Sequence, residues 1–282
     1  MGRRKKRGAL YYLYNTVPGR MVLKAAAGRG VSRACGAYLD SRMSRGLIRP
    51  FVRRHDVTLE DYTRTEYGSF NEFFTRQIRS ELRPIPGEPE DLIAPCDGLL
   101  SAYHIRQGTV IPIKQSAYTV SELLGGDPAA EKYRDGVCLV FRLCVDNYHR
   151  YCFPDGGRRL RGAYLPGVLH TVRPVALERC PVFVRNCREY TVMETENFGT
   201  VTQVEVGAML VGKIRNYPGK EHFRRGEEKG MFLYGGSTVA LLLEKDAAAV
   251  PEAFFAATER GEEIPVRMGQ VIGRAKCPAV NT

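Results

Sequence analysis

Met231-Phe232-Leu233-Tyr234-Gly235-Gly236-Ser237-Thr238-Val239-Ala240-Leu241-Leu242-Leu243 carries two apolar runs on either side of a Gly-Gly-Ser-Thr tetrad. Each run has the length of a strand and falls short of a helix, so the stretch reads as two strands joined through a glycine-bent connection. Paired glycines open backbone geometry closed to other residues. Two uses fit. One is a tight hairpin turn capped by Ser and Thr, the simpler reading of this feature alone. The other is a strained Gly236 peptide whose carbonyl the Ser237 hydroxyl attacks.

Working outward, residues 136–145 form a nearly unbroken apolar run and read as a strand buried on both faces. Residues 190–196 read as another. Residues 200–214 alternate at first, with Thr202, Val204 and Val206 on one side and Gln203 and Glu205 on the other; Gly207 and Gly212 mark bends. Residues 251–260 read as one short helix with Pro251 at its start and Gly261 just past its end. Ser69-Phe70-Asn71-Glu72 reads as a capping box opening a helix that aligns Phe70, Phe74 and Ile78 and ends before Arg83-Pro84-Ile85-Pro86-Gly87. Residues 1–66 read as helical and basic. The expected fold class is α+β, with N-terminal helices packed on a mostly antiparallel, barrel-like β sandwich.

The chain has 282 residues, 44% hydrophobic and 26% charged, which excludes a disordered or fibrous protein. No apolar run approaches the ~18 residues of a membrane-spanning helix. The net charge of +11 is concentrated at one end. Residues 1–55 hold fourteen Lys and Arg against one acid, Asp40, a net +13, so the other 227 residues sum to −2. Such an arm suits an anionic surface, phospholipid or nucleic acid. It also suits a solvated tail, or an Arg-rich transit peptide; a secretory core is excluded, since residues 10–14 give only five apolar positions before Asn15. Val31, Cys35, Tyr38 and Leu39 recur at helical spacing, as in a helix packed on the main domain or lying on a membrane.

Eight cysteines show no C-x-x-C spacing and read as buried, reduced thiols in a cytosolic setting. The five histidines, 55, 104, 149, 170 and 222, lack metal-ligand spacing, so no metal is expected. Phosphate-binding glycine loops and the Gly-x-Ser-x-Gly elbow are absent. Ala94-Pro95-Cys96-Asp97-Gly98 places a carboxylate at a turn, and Tyr148-His149-Arg150 places an imidazole at the end of a buried strand. Taken singly, each has an ordinary structural explanation.

In order, however, these segments resemble the phosphatidylserine decarboxylase family. The resemblance runs through Phe73-Phe74-Thr75-Arg76, Arg83-Pro84-Ile85, Ala94 to Gly98, Asp146-Asn147-Tyr148-His149-Arg150, Phe198-Gly199, Val206 to Ile214, Gly235-Gly236-Ser237-Thr238 and Met268-Gly269-Gln270-Val271-Ile272-Gly273, over roughly residues 67–275. The segment 39–54 also resembles the N-terminal part of one bacterial branch, which argues against a cleaved address. The resemblance implies a proenzyme that cuts itself between Gly236 and Ser237. Ser237 attacks the Gly236 carbonyl to give an ester, and elimination and hydrolysis leave a covalent pyruvoyl group at position 237. The resulting chains, 1–236 and 237–282, form a heterodimer open to further oligomerisation. The pyruvoyl then decarboxylates phosphatidylserine to phosphatidylethanolamine through a Schiff base.

The resemblance further implies that Asp97 orients the base for Ser237 and that His149 is catalytic. Many members carry a second His in a Tyr-His-Arg-x-His pattern, held to serve cleavage. Here that position is Cys152, inert or a thiol contributor, so either His149 serves both steps or another group such as His170 acts. Residues 1–66 become a membrane-associating segment and 67–282 the catalytic domain. The expected location is the cytoplasmic face of the cell membrane, peripherally held on anionic lipid, with no nucleic acid partner. A pyruvoyl decarboxylase of another serine-headed lipid or an amino acid stays open, as does an unprocessed lipid- or nucleic-acid-binding module.

Overall fold

The structure is a computed structural model that describes residues 29–114, 116–169, 184–207, 213–218, 221–234 and 237–276. Five α-helices are present among them: α1 (Arg29–Asp40), α2 (Ile48–His55), α3 (Phe70–Phe74), α4 (Val120–Leu123) and α5 (Glu252–Glu259). The strands are β1 (Asp91–Ile93), β2 (Gly98–His104), β3 (Ile111–Ile113), β4 (Ser116–Tyr118), β5 (Val137–Leu143), β6 (Arg150–Cys152), β7 (Gly157–Leu165), β8 (Val168–Leu169) and β9 (Val184–Arg185). They continue with β10 (Arg188–Thr195), β11 (Thr200–Val206), β12 (Ile214–Asn216), β13 (His222–Phe223), β14 (Glu228–Phe232), β15 (Ser237–Leu243), β16 (Ala248–Ala249), β17 (Ile264–Val266) and β18 (Val271–Ala275).

The architecture is α+β. Eight strands form one antiparallel sheet in the order β13-β7-β10-β11-β15-β5-β2-β17; it stays open, with β13 and β17 at its edges. A smaller sheet, β12-β14-β6, covers one face. There Tyr151 and Phe232 pack with Val239, Leu241 and Phe141. The opposite face is covered by the β3–β4 hairpin, α4 and the 3-10 turn Pro128–Tyr133, which bring Ile111, Tyr118, Leu123 and Tyr133 against Val140, Val204, Ala240 and Leu242. Covering both faces explains β11. Its alternation predicts a polar side, yet all seven residues are buried, Gln203 and Glu205 included. The 10–11 hairpin turns at Gly199, with φ of +64°, where the Thr195 hydroxyl donates to the Gly199 carbonyl at 2.8 Å.

The helices before the sheet build their own core from Leu39, Tyr67, Phe70, Phe73 and Phe74. Ser44 is fully buried and fastens it: its hydroxyl donates to the Leu39 carbonyl (2.9 Å) and accepts from the Phe70 amide (2.8 Å). Ser69 caps α3 by accepting from the Glu72 amide at 3.2 Å. The Glu72 carboxylate reaches one residue further back than a capping box requires, to the Gly68 amide at 2.6 Å. Helix α3 also stops earlier than the apolar spacing predicts. Thr75 bonds the Asn71 carbonyl through its hydroxyl, Arg76 turns inward over the rings of Tyr62 and Phe73, and Ile78 forms a bridge with Tyr62 instead.

Candidate active site

Ser237 opens β15, opposite Leu143 of β5, and is 1% exposed. Strand alternation places it with Val239 and Leu241 on the face covered by β6 and β14, while Thr238 faces the other way with Ala240 and Leu242. Gly235, Gly236 and His170 lie outside the described residues.

His149 arrives from β5. A reversal at residues 144–147, in which the Asn147 side chain accepts from the Cys144 amide at 2.7 Å, sends the chain back through His149 into β6. The His149 carbonyl accepts from the Phe232 amide at 2.9 Å, so His149 sits beside the strand that leads to the tetrad. Its ring is buried against Phe74, with centroids 4.0 Å apart. Nδ1 lies 2.8 Å from the Asn147 carbonyl oxygen. A carbonyl only accepts, so Nδ1 carries the proton and Nε2 is a bare acceptor. Nε2 is buried without a hydrogen-bond partner among the described residues. Burial pushes the imidazole down to about 3, and the nearby charge of Arg76 acts in the same direction. His149 is therefore neutral over the physiological range.

Helix α3 ties this ring to the strand that leads into the Gly-Gly-Ser-Thr tetrad. Phe70 and Phe74 both meet Tyr234 edge-on, at 5.2 and 5.1 Å, and Asn71 accepts from the Tyr234 amide at 3.3 Å. Tyr234 is three residues before Ser237. None of these helix residues is among the catalytic candidates; in the sequence they are marked by the Ser69-Phe70-Asn71-Glu72 helix start and the Phe73-Phe74-Thr75-Arg76 motif.

Asp97 comes from the turn that precedes β2. Leu99 of β2 pairs with Arg142 of β5, so Asp97 and Ser237 are separated by two strand spacings, about 10 Å. Both carboxylate oxygens of Asp97 accept from Arg83, and Oδ1 also accepts from the Met268 amide at 2.8 Å. Among the described residues Asp97 and His149 share no hydrogen bond: the orienting partner of His149 is the Asn147 carbonyl. Three motifs meet around Asp97. The Gly269 amide donates to the Ala94 carbonyl at 3.0 Å, and a Cβ on Gly269, whose φ is +84°, would lie 2.6 Å from the Pro84 carbonyl oxygen. Arg83, absent from the candidates, is thus the direct partner of Asp97.

Cys152 joins the same turn through its amide, which donates to the Pro95 carbonyl at 2.8 Å. Burial pushes its thiol up to about 12, so it is protonated at neutral pH and is no proton acceptor there. Among the described residues no group of three His, Cys, Asp or Glu side chains could hold a metal ion.

The arrangement offers a buried hydroxyl at a strand start, a neutral imidazole with a fixed, bare nitrogen beside the incoming strand, and an aromatic wall against water. It suits activation of a hydroxyl nucleophile. The chain is similar to known proteins of one family. A sequence-family model described as phosphatidylserine decarboxylase matches residues 70–274. A phosphatidylserine decarboxylase proenzyme 2 of Clostridium acetobutylicum is 42% identical over 269 residues, covering 95% of this chain and 92% of that protein. A phosphatidylserine decarboxylase proenzyme of Ruminiclostridium cellulolyticum is 37% identical over 267 residues, 93% of this chain and 89% of its own length. That of Clostridium tetani is 36% identical over 247 residues, 86% and 83% respectively. With the matched region enclosing His149, Asp97 and the Gly-Gly-Ser-Thr tetrad alike, the chain belongs to the phosphatidylserine decarboxylase family.

Proposed function

We propose that this chain is a proenzyme that cuts itself between Gly236 and Ser237 and then decarboxylates phosphatidylserine to phosphatidylethanolamine at a pyruvoyl group derived from Ser237. The observation that carries the reading is the neutral His149 with its bare, buried Nε2 beside the strand entering Gly235-Gly236-Ser237. This nitrogen takes the Ser237 proton as the hydroxyl oxygen bonds to the Gly236 carbonyl carbon. The Gly236–Ser237 C–N bond breaks as the amine leaves, giving an ester. Loss of the Ser237 α-proton expels the Gly236 carboxylate, and hydrolysis of the remaining enamine releases ammonia.

The residues suit the group so formed. Ser237 is buried beneath aromatic and aliphatic side chains, which keeps water from a reactive ketone, and His149 supplies an unpartnered polar atom. A pyruvoyl ketone supplies an electron sink for loss of CO2 from an amino acid headgroup. Around it, the Asn147 carbonyl holds His149 in one tautomer, Phe74 fixes the ring plane, and Arg83 with the Met268 amide holds the turn containing Asp97.

The basic residues of segment 1–66 would bring the enzyme to the anionic cytoplasmic face of the cell membrane, where its substrate resides, as a peripheral protein. No helix among the described residues is long and apolar enough to cross a bilayer. Each Lys or Arg near an anionic surface contributes ~1 kcal/mol.

A denaturing gel with intact mass tests the central claim. The expected result is two chains of 236 and 46 residues, the shorter one blocked at its N-terminus; one uncut species of 31.6 kDa would overturn it.

A further inference from the structure

Among the described residues, several arginines have no ion-pair partner, and three of them line one groove. Arg83, Arg142, Arg150, Arg158, Arg161 and Arg274 each meet a carboxylate. Arg45, Arg49 and Arg53 meet none, although Ile48, Phe51 and Val52 of the same run pack, partly buried, on the aromatic core. Their spacing of four places them along one side of the segment formed by the 3-10 turn Arg42–Leu47 and α2. They flank a groove of about 670 Å³. Its floor is apolar, with Ile48, Val52, Leu59 and Tyr67, and Glu66 is the one acid among the described residues of its lining. Beside it, Met43 is 79% exposed, Tyr38 44% and Leu47 41%. An apolar trough flanked by unpaired guanidinium groups, with large apolar side chains held out to solvent nearby, is complementary to a phosphodiester attached to a hydrocarbon chain.

The groove also connects to the candidate centre. Ile48, Val52, Leu59 and Tyr67 belong to the aromatic cluster that contains Phe73, Phe74 and Tyr234. Phe74 touches His149, and Tyr234 leads into the tetrad. An occupant of this groove therefore rests on the same packed unit that positions the cleavage strand.

We propose that this groove is a docking site for an anionic phospholipid of the bilayer, its phosphodiester oxygens on Arg45, Arg49 and Arg53 and its glycerol-proximal chain over Ile48, Val52 and Leu59. The inference rests on the reading of the protein as an enzyme of membrane lipid. It adds a defined lipid seat to what would otherwise be diffuse attraction by a basic arm.

The chain contains no tryptophan, so Thr65→Trp at the exposed rim places a single reporter there. The processed, full-length protein is titrated with monomeric dihexanoyl phosphatidylglycerol, a phosphodiester lipid without an amine and hence without turnover. A saturable emission shift is expected. Dihexanoyl phosphatidylcholine and the triple variant Arg45→Gln/Arg49→Gln/Arg53→Gln should bind at least about tenfold more weakly. The same variant should lose cosedimentation with phosphatidylcholine vesicles containing phosphatidylglycerol, and the triple Lys variant should regain part of it.

Three results would each overturn the proposal: no saturable shift, an unchanged affinity in the glutamine variant, or a shift that appears only after removal of residues 1–28, which would make the groove the seat of that segment. Chain cutting, which involves no lipid, should still occur in the glutamine variant and shows that the variant folds. If the parent protein itself fails to cut or to release CO2, the decarboxylase reading fails, whereas the binding titration still decides the groove.

Discussion

The Nδ1 atom of His149 lies 2.8 Å from the carbonyl oxygen of Asn147, two residues before it in the chain. This backbone contact does the tautomer-fixing work that a carboxylate does in many hydrolytic sites. It leaves Nε2 free to accept a proton and adds no charge to favour imidazolium.

A pH dependence follows. Burial holds His149 down to about 3, whereas an unfolded His titrates near 6.5. Between those values the unfolded chain binds a proton that the folded chain does not. Stability must therefore fall as pH drops from about 6.5 toward 3, and the contribution is fully present above 6.5. Urea midpoints of the uncut Ser237→Ala protein at pH 7 and pH 5 should differ by about 2 kcal/mol from this group. Adding His149→Phe should remove most of that difference. An undiminished slope would mean that the ring is protonated in the fold.

Processing should depend on the same two residues. Ser237→Ala should leave a single chain, and His149→Ala should slow cutting by ~100-fold or more, the size expected for loss of a general base. Cys152→Ala should cut at close to the parental rate, because the thiol is held protonated. Gel densitometry after synthesis in vitro measures all three. Rapid cutting by His149→Ala would transfer the base role to another group.

The parts of this molecule legible in one dimension are those written as contiguous patterns. The apolar runs at 137–143 and 237–243 are adjacent strands, and Pro251 and Gly261 bracket α5. What could not be read depends on distant partners. Gln203 and Glu205 alternate with apolar neighbours as solvent-facing residues do, but residues 150–152, 214–216 and 228–232 fold over them. Helix α3 ends at Phe74 because Arg76 finds the Asp146 carbonyl, 70 residues away. Asp97 reads as a catalytic orienter only through the family resemblance, and its contacts with Arg83 and with the Met268 amide, 171 residues on, exist only in three dimensions.

That geometry changes what Asp97→Asn should do. Both oxygens are committed to Arg83 and Met268, so the carboxylate acts on the 94–98 turn. Breaking so enclosed a pair costs about 3 kcal/mol. Asp97→Asn and Arg83→Gln should therefore slow self-cleavage to a similar degree, and the double variant should be little worse than either alone. Normal cutting in Arg83→Gln alongside a block in Asp97→Asn would show that the charge of Asp97 acts directly on the reaction.

Cutting should not separate the chains. β15 would begin the shorter chain, yet it lies between β11 and β5, paired along Thr238–Leu243 with one and Ser237–Leu243 with the other. Every residue of β15 is buried. The two chains should coelute in gel filtration and part only in denaturant. Release of the 46-residue chain under native conditions would contradict the central place of β15.

The last prediction concerns Lys229 and Glu205, whose side chains are 1% and 0% exposed and 2.7 Å apart. Lys229 also donates to the Asn216 side-chain oxygen at 3.1 Å. Asn216 donates to the other Glu205 oxygen at 3.1 Å, and the Tyr151 hydroxyl donates to Asn216 at 3.0 Å. The four residues come from β14, β11, β12 and β6, so the network fastens the small sheet to the large one. Burial drives the two ions against ionisation, raising Glu205 and lowering Lys229, and each offsets this for the other. Such a pair contributes little net stability but is costly to break. Glu205→Gln should destabilise the uncut protein by about 3–5 kcal/mol, because an ammonium is left in an apolar interior. Glu205→Leu with Lys229→Met should recover most of that loss in urea unfolding. The double variant should nevertheless cut more slowly, since β14 carries Phe232, whose amide holds His149, and would no longer be pinned to β11 by directional bonds. If the double variant were as unstable as Glu205→Gln alone, the cost would come from packing rather than from an uncompensated charge.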